Sequence, residues 1–325
     1  MHYYYAPMEG ITGYIQRNAC HRFFPGIDKY FTAFIAPNQR GHFSSKEKND
    51  ILPEHNEGIC LVPQILTNRE DDFLLTVKKL KQYGYEEVNL NLGCPSKTVV
   101  SKFRGSGFLA KPEELDRFLE SIFSKADIKI SIKTRIGKDD PEEWMRLLEI
   151  YNKYPLEELI VHPRTQKDFY KNSPNLDVFE EMFKHSKCPV CYNGDLFIKR
   201  DFLKWKERFP LVDTVMIGRG LLINPGLIGL IEEGSMPKKE RLFAYHNQIY
   251  EDYRNIMYGD RNVLFKMKEL WIYMIHSFTN PKKYAKRIRK AEKLAAYEDA
   301  VSDLFNEQEL VEDGRESGSS VYASE

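Results

Sequence analysis

The chain has 325 residues, which is enough for a large domain with a smaller one attached, or for a single barrel with an extension. Its 48 Lys and Arg balance 48 Asp and Glu, so the global charge by itself points to neither nucleic acid nor membrane. The start, MHYYYAPMEG, lacks the basic and apolar segments of a signal peptide. Together with five irregularly spaced cysteines, these features predict a soluble cytoplasmic protein with reduced thiols.

Eight short apolar segments between residues 1 and 235 are predicted to be β-strands, and amphipathic helical patterns lie between most of them. Because these segments are apolar throughout and are followed by helices, we expect parallel strands that are buried on both faces. Eight repeats of strand and helix favour an α/β fold of the (β/α)8 TIM barrel type over a doubly wound open sheet. The predicted strands are residues 2–6, 29–36, 59–66, 87–92, 128–134, 158–162, 189–193 and 214–218.

The pattern changes after residue 235, and residues 236–305 are predicted to form a small all-α helical bundle domain behind the barrel. This region holds 14 Lys or Arg against 9 acids, whereas the barrel is neutral. The excess is concentrated in residues 282–293, which form either a solvated surface helix or a surface that binds phosphate groups. Residues 306–325, with six acids and one base, are predicted to be a disordered acidic tail.

Seven of the eight predicted strands end in polar or glycine-rich residues, and in a TIM barrel such ends form the active site. Glycine-rich loops after the last two strands are where such barrels hold a phosphate, and Arg219 adds a forked cation there. A cofactor with one terminal phosphate fits these loops, and Lys133 would reach its other end, which is negatively charged in a reduced flavin. The candidate residues are Pro7, Met8, Glu9, Gln64, Asn91, Cys94, Lys133, Arg135, His162, Arg164, Asn193, Gly194, Asp195, Gly218 and Arg219.

Several short motifs occur in the order and approximate spacing of the tRNA-dihydrouridine synthases, which this sequence resembles over residues 1–230. They are APMEGIT near the start, then Gln64, NLNLGCPS, IKTRIG, HPRT, NGD and MIGRG. The resemblance implies FMN as cofactor, NADPH as reductant and tRNA as substrate, in which a uridine is reduced at its C5–C6 double bond to dihydrouridine. The smaller basic helical domain also matches the architecture of that family.

The resemblance also implies roles for individual residues. Hydride would pass from flavin N5 to C6 of the uracil, Cys94 would give a proton to C5, and Asn91 would position the base. An unperturbed thiol, with a pKa of about 8.5, holds its proton at neutral pH as a general acid must. By the same resemblance, the flavin would be bound by Pro7, Met8, Glu9, Gln64, Lys133 and His162, and its phosphate by Asn193, Gly194, Asp195, Gly218 and Arg219.

The target base must leave the folded tRNA to enter the barrel, at a cost of roughly a few kcal/mol that phosphate contacts elsewhere can offset. This requirement favours a phosphate-binding role for residues 282–293. The loop that follows Cys94 would close over the site. We further expect a monomer that requires neither a protein partner nor a membrane. The residues expected to contact tRNA are Lys97, Arg104, Arg135, Arg164, Lys286, Arg287, Arg289 and Lys290.

Two other functions fit part of the pattern. An FMN-dependent dehydrogenase of free pyrimidines, of the dihydroorotate or dihydropyrimidine type, resembles this sequence around Cys94 but lacks the helical extension at residues 241–305. A catalytically silent tRNA-binding protein would keep the basic helix and lose Cys94 and Lys133. Two formal motif matches are discounted, because GSGFLA at 105–110 follows no predicted strand and the CxxC at 188–191 overlaps one and has no second Cys pair or His cluster beside it.

Overall fold

A computed structural model describes residues 1–37 and 41–311 of the protein. Nine strands in these residues form one sheet, and every neighbouring pair in it is parallel. The strands are β1 His2–Tyr5, β2 Lys29–Phe31, β3 Leu61–Val62, β4 Gln64–Ile65, β5 Glu87–Leu92, β6 Lys129–Gly137, β7 Leu159–Thr165, β8 Val190–Tyr192 and β9 Thr214–Ile217.

The sheet closes on itself in the order β3-β2-β1-β9-β8-β7-β6-β5-β4. Its first and last members, β3 and β4, are consecutive in the chain and are separated only by Pro63. Proline has no N–H to donate, so pairing breaks there, and the strand predicted over 59–66 is one barrel strand in two pieces. A further parallel bridge joins Ile35 to Ile65. With that strand counted once, the predicted eight-stranded TIM barrel is confirmed.

Strand β5 illustrates how the barrel sorts its side chains. Val88, Leu90 and Leu92 belong to the large core between the strands and the surrounding helices. Asn89 and Asn91 alternate with them and therefore face the barrel interior. The apolar residues that fill the interior form a separate small cluster, namely Tyr4, Ala6, Phe31, Val62, Ile160, Cys191 and Met216.

Helices follow most strands and cover the outside of the barrel. The first turn of the helix at 70–82 carries three acids, and the helix at 112–125 begins at a proline, as their sequences predict. Short 3-10 turns occur at 53–55, 105–110, 141–143 and 275–277. The α-helices are α1 Tyr14–Phe23, α2 Ser45–Ile51, α3 Glu70–Gln82, α4 Lys97–Val100, α5 Pro112–Lys125, α6 Trp144–Tyr151, α7 Leu176–His185, α8 Lys199–Arg208, α9 Arg219–Ile223, α10 Leu227–Glu233, α11 Lys239–Ile256, α12 Asp260–Met274, α13 Lys282–Lys290 and α14 Leu294–Glu307.

Helices α11 to α14 form the predicted helical region, and they pack directly against the barrel. Gln16 on α1 donates a hydrogen bond from Nε2 to Tyr245 Oη on α11, over 2.9 Å. Lys266 on α12 donates from Nζ to the carbonyl of Gly10, over 2.7 Å, in the loop after β1. The second contact brings α12 to the end of the barrel at which the predicted active-site residues lie.

The prediction of a disordered tail from residue 306 is wrong for residues 306–311. Helix α14 runs through Glu307, and Leu310 forms an antiparallel bridge with Phe278. Residues 306–311 are therefore part of the ordered structure, and residues 312–325 of the predicted tail lie outside the described residues. Within the described residues, no helix is long and apolar enough to span a membrane.

A buried polar cluster lies at the opposite end of the barrel from the predicted site. Lys29 and Glu87 begin strands β2 and β5 and form an ion pair of 2.7 Å. Glu158, just before β7, is 5% exposed and accepts a hydrogen bond from Tyr4 Oη over 3.2 Å. Its other oxygen, Oε2, has no hydrogen-bond partner among the residues that the structure describes. Burial, which disfavours the charged form, raises the pKa of Glu158 to about 7.

We expect Glu158→Gln to stabilise the protein at pH 8 and to have little effect at pH 4. A carboxyl group whose pKa rises from 4.5 to about 7 on folding contributes stability that is complete below pH 4.5 and lost as the pH rises through 7. The loss amounts to roughly 3 kcal/mol, and the amide avoids it. Urea unfolding at the two pH values measures the difference, with the exposed Glu149→Gln as control. An equal effect at both pH values would contradict this account.

Candidate active site

Two adjoining cavities open at the carboxyl ends of the strands, with volumes of about 80 and 210 Å³. They share a wall made of Pro7, Met8, Lys133, His162 and Tyr170. Cys94, Asn91 and every predicted cofactor-binding residue line one cavity or the other. The first, called the glycine-rich cavity, is completed by Ala6, Asn193, Gly194, Asp195, Leu196, Phe197, Gly218, Arg219 and Gly220. The second, called the cysteine cavity, is completed by Glu9, Ile11, Ala33, Phe34, Gln64, Asn91, Gly93, Cys94, Pro95 and Arg135.

The loops after β8 and β9 form the glycine-rich cavity, and they approach each other closely because Gly220 has no Cβ. A Cβ on Gly194 would lie 2.0 Å from Tyr192 Oη, and one on Gly220 would lie 2.2 Å from the carbonyl oxygen of Leu196. Helix α9 begins immediately after Gly218. The first N–H groups of a helix have no partner within it, so they can bind an anion. The phosphate site that the NGD and GRG motifs predict would lie at this helix start.

Three charged side chains set the electrostatics of this cavity. Arg164 donates from Nη1 and Nη2 to the two carboxylate oxygens of Asp195, over 2.8 and 2.5 Å. Arg219 donates from Nη2 to Asp195 Oδ1 over 2.8 Å, and its guanidinium lies 4.7 Å from the Tyr170 ring centre. Two cations thus share one carboxylate, which leaves a net positive charge for an anionic ligand. Asp195 thus also orients Arg219, the arginine that lines this cavity, toward a phosphate.

The placement of Arg164 contradicts its predicted contact with tRNA. Its side chain is 0% exposed and is fully engaged by Asp195, His162 and the carbonyl of Asn172. A guanidinium in this position has no free face to offer a phosphate from outside the barrel. It acts instead as an internal brace between the ends of β7 and β8.

His162 is buried between the two cavities and is neutral. Burial, and then the nearby Arg135 and Lys133 cations, hold the pKa of His162 well below its usual range. Its Nε2 lies 3.1 Å from Arg164 Nη1, and a guanidinium can only donate hydrogen bonds. Nε2 is therefore the acceptor and the imidazole proton is on Nδ1. The residue can supply one neutral N–H donor to a ligand.

Lys133 carries an unneutralised ammonium group at the junction of the two cavities. This ammonium group has no hydrogen-bond or ion-pair partner within residues 1–37 and 41–311. Burial, followed by the charge of Arg135, lowers the pKa of Lys133 to about 8, so most of the group is still protonated at pH 7. A ligand that spans both cavities would gain most by placing an acceptor or a negative charge beside this nitrogen.

A ladder of amide side chains crosses the barrel beneath the cysteine cavity. Asn89 donates from Nδ2 to Ser131 Oγ over 3.0 Å and accepts from Gln64 Nε2 over 2.8 Å. Gln64 Oε1 in turn accepts from Asn91 Nδ2 over 2.7 Å. These bonds fix the amide orientations of three buried side chains on adjacent strands. The interior polar residues of β4, β5 and β6 therefore form a preorganised floor.

Asn91 also holds the loop that carries Cys94. Its Oδ1 accepts hydrogen bonds from the backbone N–H groups of Gly93 and Cys94, over 3.1 and 2.9 Å. On the other side, the carbonyl of Cys94 accepts from the N–H and the hydroxyl of Ser106, over 3.1 and 2.8 Å. Gly105 has φ +55°, and a Cβ there would lie 2.8 Å from that carbonyl. The GSGFLA segment is thus a 3-10 turn that clamps the cysteine loop, in agreement with its rejection as a dinucleotide motif.

The Cys94 thiol is half-buried in the wall of the cysteine cavity. Burial raises the pKa of the Cys94 thiol, an effect that Ser96 and the Arg135 and Lys133 cations only partly oppose. The group therefore keeps its proton at neutral pH. A protonated thiol is a poor nucleophile but a suitable proton donor.

Other predicted tRNA contacts divide into buried and exposed groups. Arg135 is 1% exposed, and it donates to the carbonyls of Gly93, Thr165 and Phe169 over 3.0, 2.7 and 2.9 Å. It lines the cysteine cavity and braces the loop after β5 against the end of β7 and the loop that follows, and its predicted contact with the tRNA substrate stays a prediction. Lys97, Lys286, Arg289 and Lys290 are exposed, whereas Arg104 is half-buried and Arg287 pairs with Asp303 over 2.6 Å.

Glu9 and Tyr170 show the limits of prediction from strand ends. Glu9 lines the rim of the cysteine cavity and pairs with Lys46 over 2.5 Å, and its predicted contact with the cofactor stays a prediction. Tyr170 is absent from the sequence-based candidates, although it lines both cavities and lies near the guanidinium groups of Arg219 and Arg135, at 4.7 and 5.5 Å. It comes from an irregular loop after β7 rather than from a strand end. The only sequence signal is its position close behind HPRT.

The CxxC cysteines do not share an environment. Cys191 is buried in the small interior cluster of the barrel, whereas Cys188 is half-buried and its sulfur lies 3.3 Å from Ser186 Oγ. Within the described residues, no group of three or more His, Cys, Asp or Glu side chains is arranged to hold a metal ion.

Comparison with known proteins identifies the family of this chain. The family model for dihydrouridine synthase matches residues 4–316. The tRNA-dihydrouridine synthase B of Pasteurella multocida (strain Pm70) is 26% identical over 267 residues, which cover 79% of each chain. The probable tRNA-dihydrouridine synthase 2 of Bacillus subtilis (strain 168) is 26% identical over 226 residues, 68% of this chain and 69% of that protein.

A solved structure of a mutant morphinone reductase in complex with tetrahydroNAD shares the barrel fold. Its TM-score is 0.51 at 12% sequence identity, and the match covers 73% of this chain and 88% of that one. At this identity the likeness concerns the fold alone, whereas the family model spans almost the whole sequence. The chain belongs to the dihydrouridine synthase family.

Proposed function

We propose that this protein is a tRNA-dihydrouridine synthase that uses FMN and NADPH to reduce the C5–C6 double bond of a uridine in tRNA. Membership of the dihydrouridine synthase family supports the reaction, and the names of the relatives above support tRNA as the substrate. The observation that carries the proposal is the Cys94 thiol, which keeps its proton in a cavity adjoining a cationic glycine-rich one.

The two cavities fit FMN in the character of their side chains. The glycine-rich cavity combines close backbone loops with a net positive charge from Arg164, Asp195 and Arg219, which suits a terminal phosphate. The shared wall offers the apolar Pro7 and Met8, the neutral His162 donor and the unneutralised Lys133, which suit a flat ring with polar edges. Bound there, FMN would supply the hydride that C6 of the uracil receives.

The remaining chemistry belongs to side chains of the cysteine cavity. The Cys94 thiol gives its proton to C5, so that C5 and C6 together gain one proton and one hydride. Arg135 and Lys133, both cationic, stabilise the thiolate left behind until it regains a proton from solvent. Asn91 has one amide N–H that the loop and Gln64 do not use, and this group can bind the uracil.

Binding of tRNA requires contacts outside the cavities, because the target base must be extracted from the folded RNA. We assign this role to the exposed Lys97, Lys286, Arg289 and Lys290, with the barrel of residues 1–235 as the catalytic domain and residues 236–305 as the tRNA-binding domain. We also propose that the protein is a monomer that needs no protein partner and acts on tRNA in the cytoplasm.

A purification experiment tests this function. We expect the protein to be yellow, to release FMN on denaturation, and to form dihydrouridine in unmodified tRNA when NADPH is added, as measured by mass spectrometry. Reduction of free uracil or dihydroorotate formation, without reaction on tRNA, would favour a dehydrogenase of free pyrimidines. Binding of tRNA without product would favour a silent tRNA-binding protein. A colourless protein that FMN cannot reconstitute would refute the proposal.

A further inference from the structure

A groove of about 740 Å³ between α12 and α13 plays no part in the site described above. Its volume lies within the range of about 300–1,000 Å³ that is common for ligand pockets. On α12, Phe265 and Ile272 contribute large apolar side chains that are 60% and 57% exposed. They are seven residues apart, which places them on one face of the helix, two turns from each other. The groove therefore has an apolar floor that the rest of the described chain leaves uncovered.

The two edges of α13 differ in charge, and the more positive edge borders the groove. Tyr284 and Ile288 anchor the helix in the core. On the edge that faces α14, Lys283 and Arg287 are paired with Glu307 and Asp303. The edge along the groove carries Lys282, Lys286 and Arg289, at spacings of four and three residues.

These three groove cations are exposed and form no ion pair within residues 1–37 and 41–311. The one carboxylate in the groove, Glu269, is paired with Lys266 over 2.8 Å. An occupant of this groove should therefore combine apolar surface with closely spaced negative charges. An unstacked nucleotide has both, since its base has apolar faces and its backbone is anionic.

The groove adjoins the active-site mouth through a short chain of contacts. Phe265 precedes Lys266, whose ammonium group donates to the carbonyl of Gly10 over 2.7 Å. Gly10 follows Glu9, which lines the cysteine cavity. An RNA strand that places one uridine beside Cys94 could thus continue directly onto α12.

We propose that the α12–α13 groove binds a second, unpaired nucleotide of the tRNA. Its base packs on Phe265 and Ile272, and the flanking phosphates contact Lys282, Lys286 and Arg289. The inference rests on the proposed tRNA substrate and adds a base contact to it. The groove is thereby specific for RNA in which an unstacked base lies near the target uridine. A purely basic surface would not have this specificity.

The test separates base contacts from phosphate contacts through salt dependence. Binding of tRNA to the FMN-loaded protein is measured at several salt concentrations. We expect Phe265→Ala to weaken binding by roughly 5- to 150-fold, the range for one base stacked on a side chain, without changing the slope of log K against log salt. We expect the triple change Lys282→Gln, Lys286→Gln and Arg289→Gln to reduce that slope, by about 0.7 for each single-strand phosphate that the protein no longer neutralises.

The control variants change residues at the other end of the barrel, just before strands β9 and β8. Leu211→Ala removes an apolar side chain that is 81% exposed, and Lys187→Gln removes an exposed charge, and neither should change binding. As a direct probe, wild type should bind oligouridylate more tightly than an abasic oligomer of equal length, and Phe265→Ala should lose this preference.

Flavin content and thermal unfolding should match the wild type in all variants, which shows that they are folded. If wild type makes dihydrouridine but Phe265→Ala and Ile272→Ala bind tRNA with full affinity, the groove inference is overturned and an acidic polypeptide becomes the better occupant. If wild type neither binds nor reduces tRNA, the proposed function itself fails, and the inference fails with it.

Discussion

Replacing Cys94 by alanine is expected to slow dihydrouridine formation by about 10²- to 10⁴-fold while FMN stays bound, which is the usual contribution of a general acid. The loop should keep its shape, because Asn91 and Ser106 bind the backbone N–H and carbonyl of residue 94 rather than its sulfur. The substitution therefore removes the proton and little else. Rapid mixing of the reduced protein with tRNA, followed by mass spectrometry of the product, measures the rate.

A second thiol provides the control for this substitution. Cys60 is exposed and precedes β3, at the end of the barrel away from the cavities, so Cys60→Ala should leave the rate unchanged. Both variants should oxidise NADPH at the wild-type rate when tRNA is absent. Full product formation by Cys94→Ala would exclude the thiol from proton transfer.

The fold could be predicted from the sequence because its signals are local. Apolar runs and amphipathic segments alternate eight times, and helix starts such as Pro112 carry their own marks. The division of the third strand at Pro63 is also a local effect, which the missing N–H explains once the pairing is known. The ordered position of Leu310, in contrast, has no local signal. It depends on a bridge to Phe278, 32 residues earlier, which composition does not reveal.

A residue that lines the site can be predicted where its position along a strand alone brings it there. Cys94 and Lys133 follow from the rule that catalytic residues lie at the carboxyl ends of barrel strands. That rule gives no information about partners, so it does not reveal that Arg164, predicted to contact tRNA, is buried against Asp195, 31 residues away. The acceptors of Arg135 are unpredictable for the same reason, since its three carbonyl partners belong to other strands and loops. Tyr170 stands on an irregular loop, where no periodicity indicates which way it faces.

The basic helix shows how the structure refines a prediction based on charge. The sequence has seven bases and one acid in residues 282–293, too many to lie on one narrow face. Ion pairs to Asp303 and Glu307 occupy one edge of α13, which leaves the other edge as the positive one. The pairing partners come from α14, so the asymmetry could not be read from α13 itself.

The other large effect is expected at the shared carboxylate, where Asp195→Asn should destabilise the protein by about 3–5 kcal/mol. This substitution leaves the buried guanidinium of Arg164 without its counter-charge, and Arg219 loses the same partner. The desolvation cost of a buried cation is then no longer offset. We expect FMN retention to fall as well, because Arg219, which lines the glycine-rich cavity, loses the group that orients it. Urea unfolding and flavin release at one pH measure the two effects.

A second substitution tests whether the uncompensated charge of Arg164 causes the loss of stability. Arg164→Met in the Asp195→Asn background removes the uncompensated cation, so the double variant should regain much of the lost stability while still binding FMN weakly. Asp177→Asn is the control, since that carboxylate is 89% exposed and pairs with Arg208 at the surface, where an ion pair adds little to stability. If Asp195→Asn were as mild as Asp177→Asn, or if the two substitutions at 164 and 195 were additive, the buried charge would not be the cause.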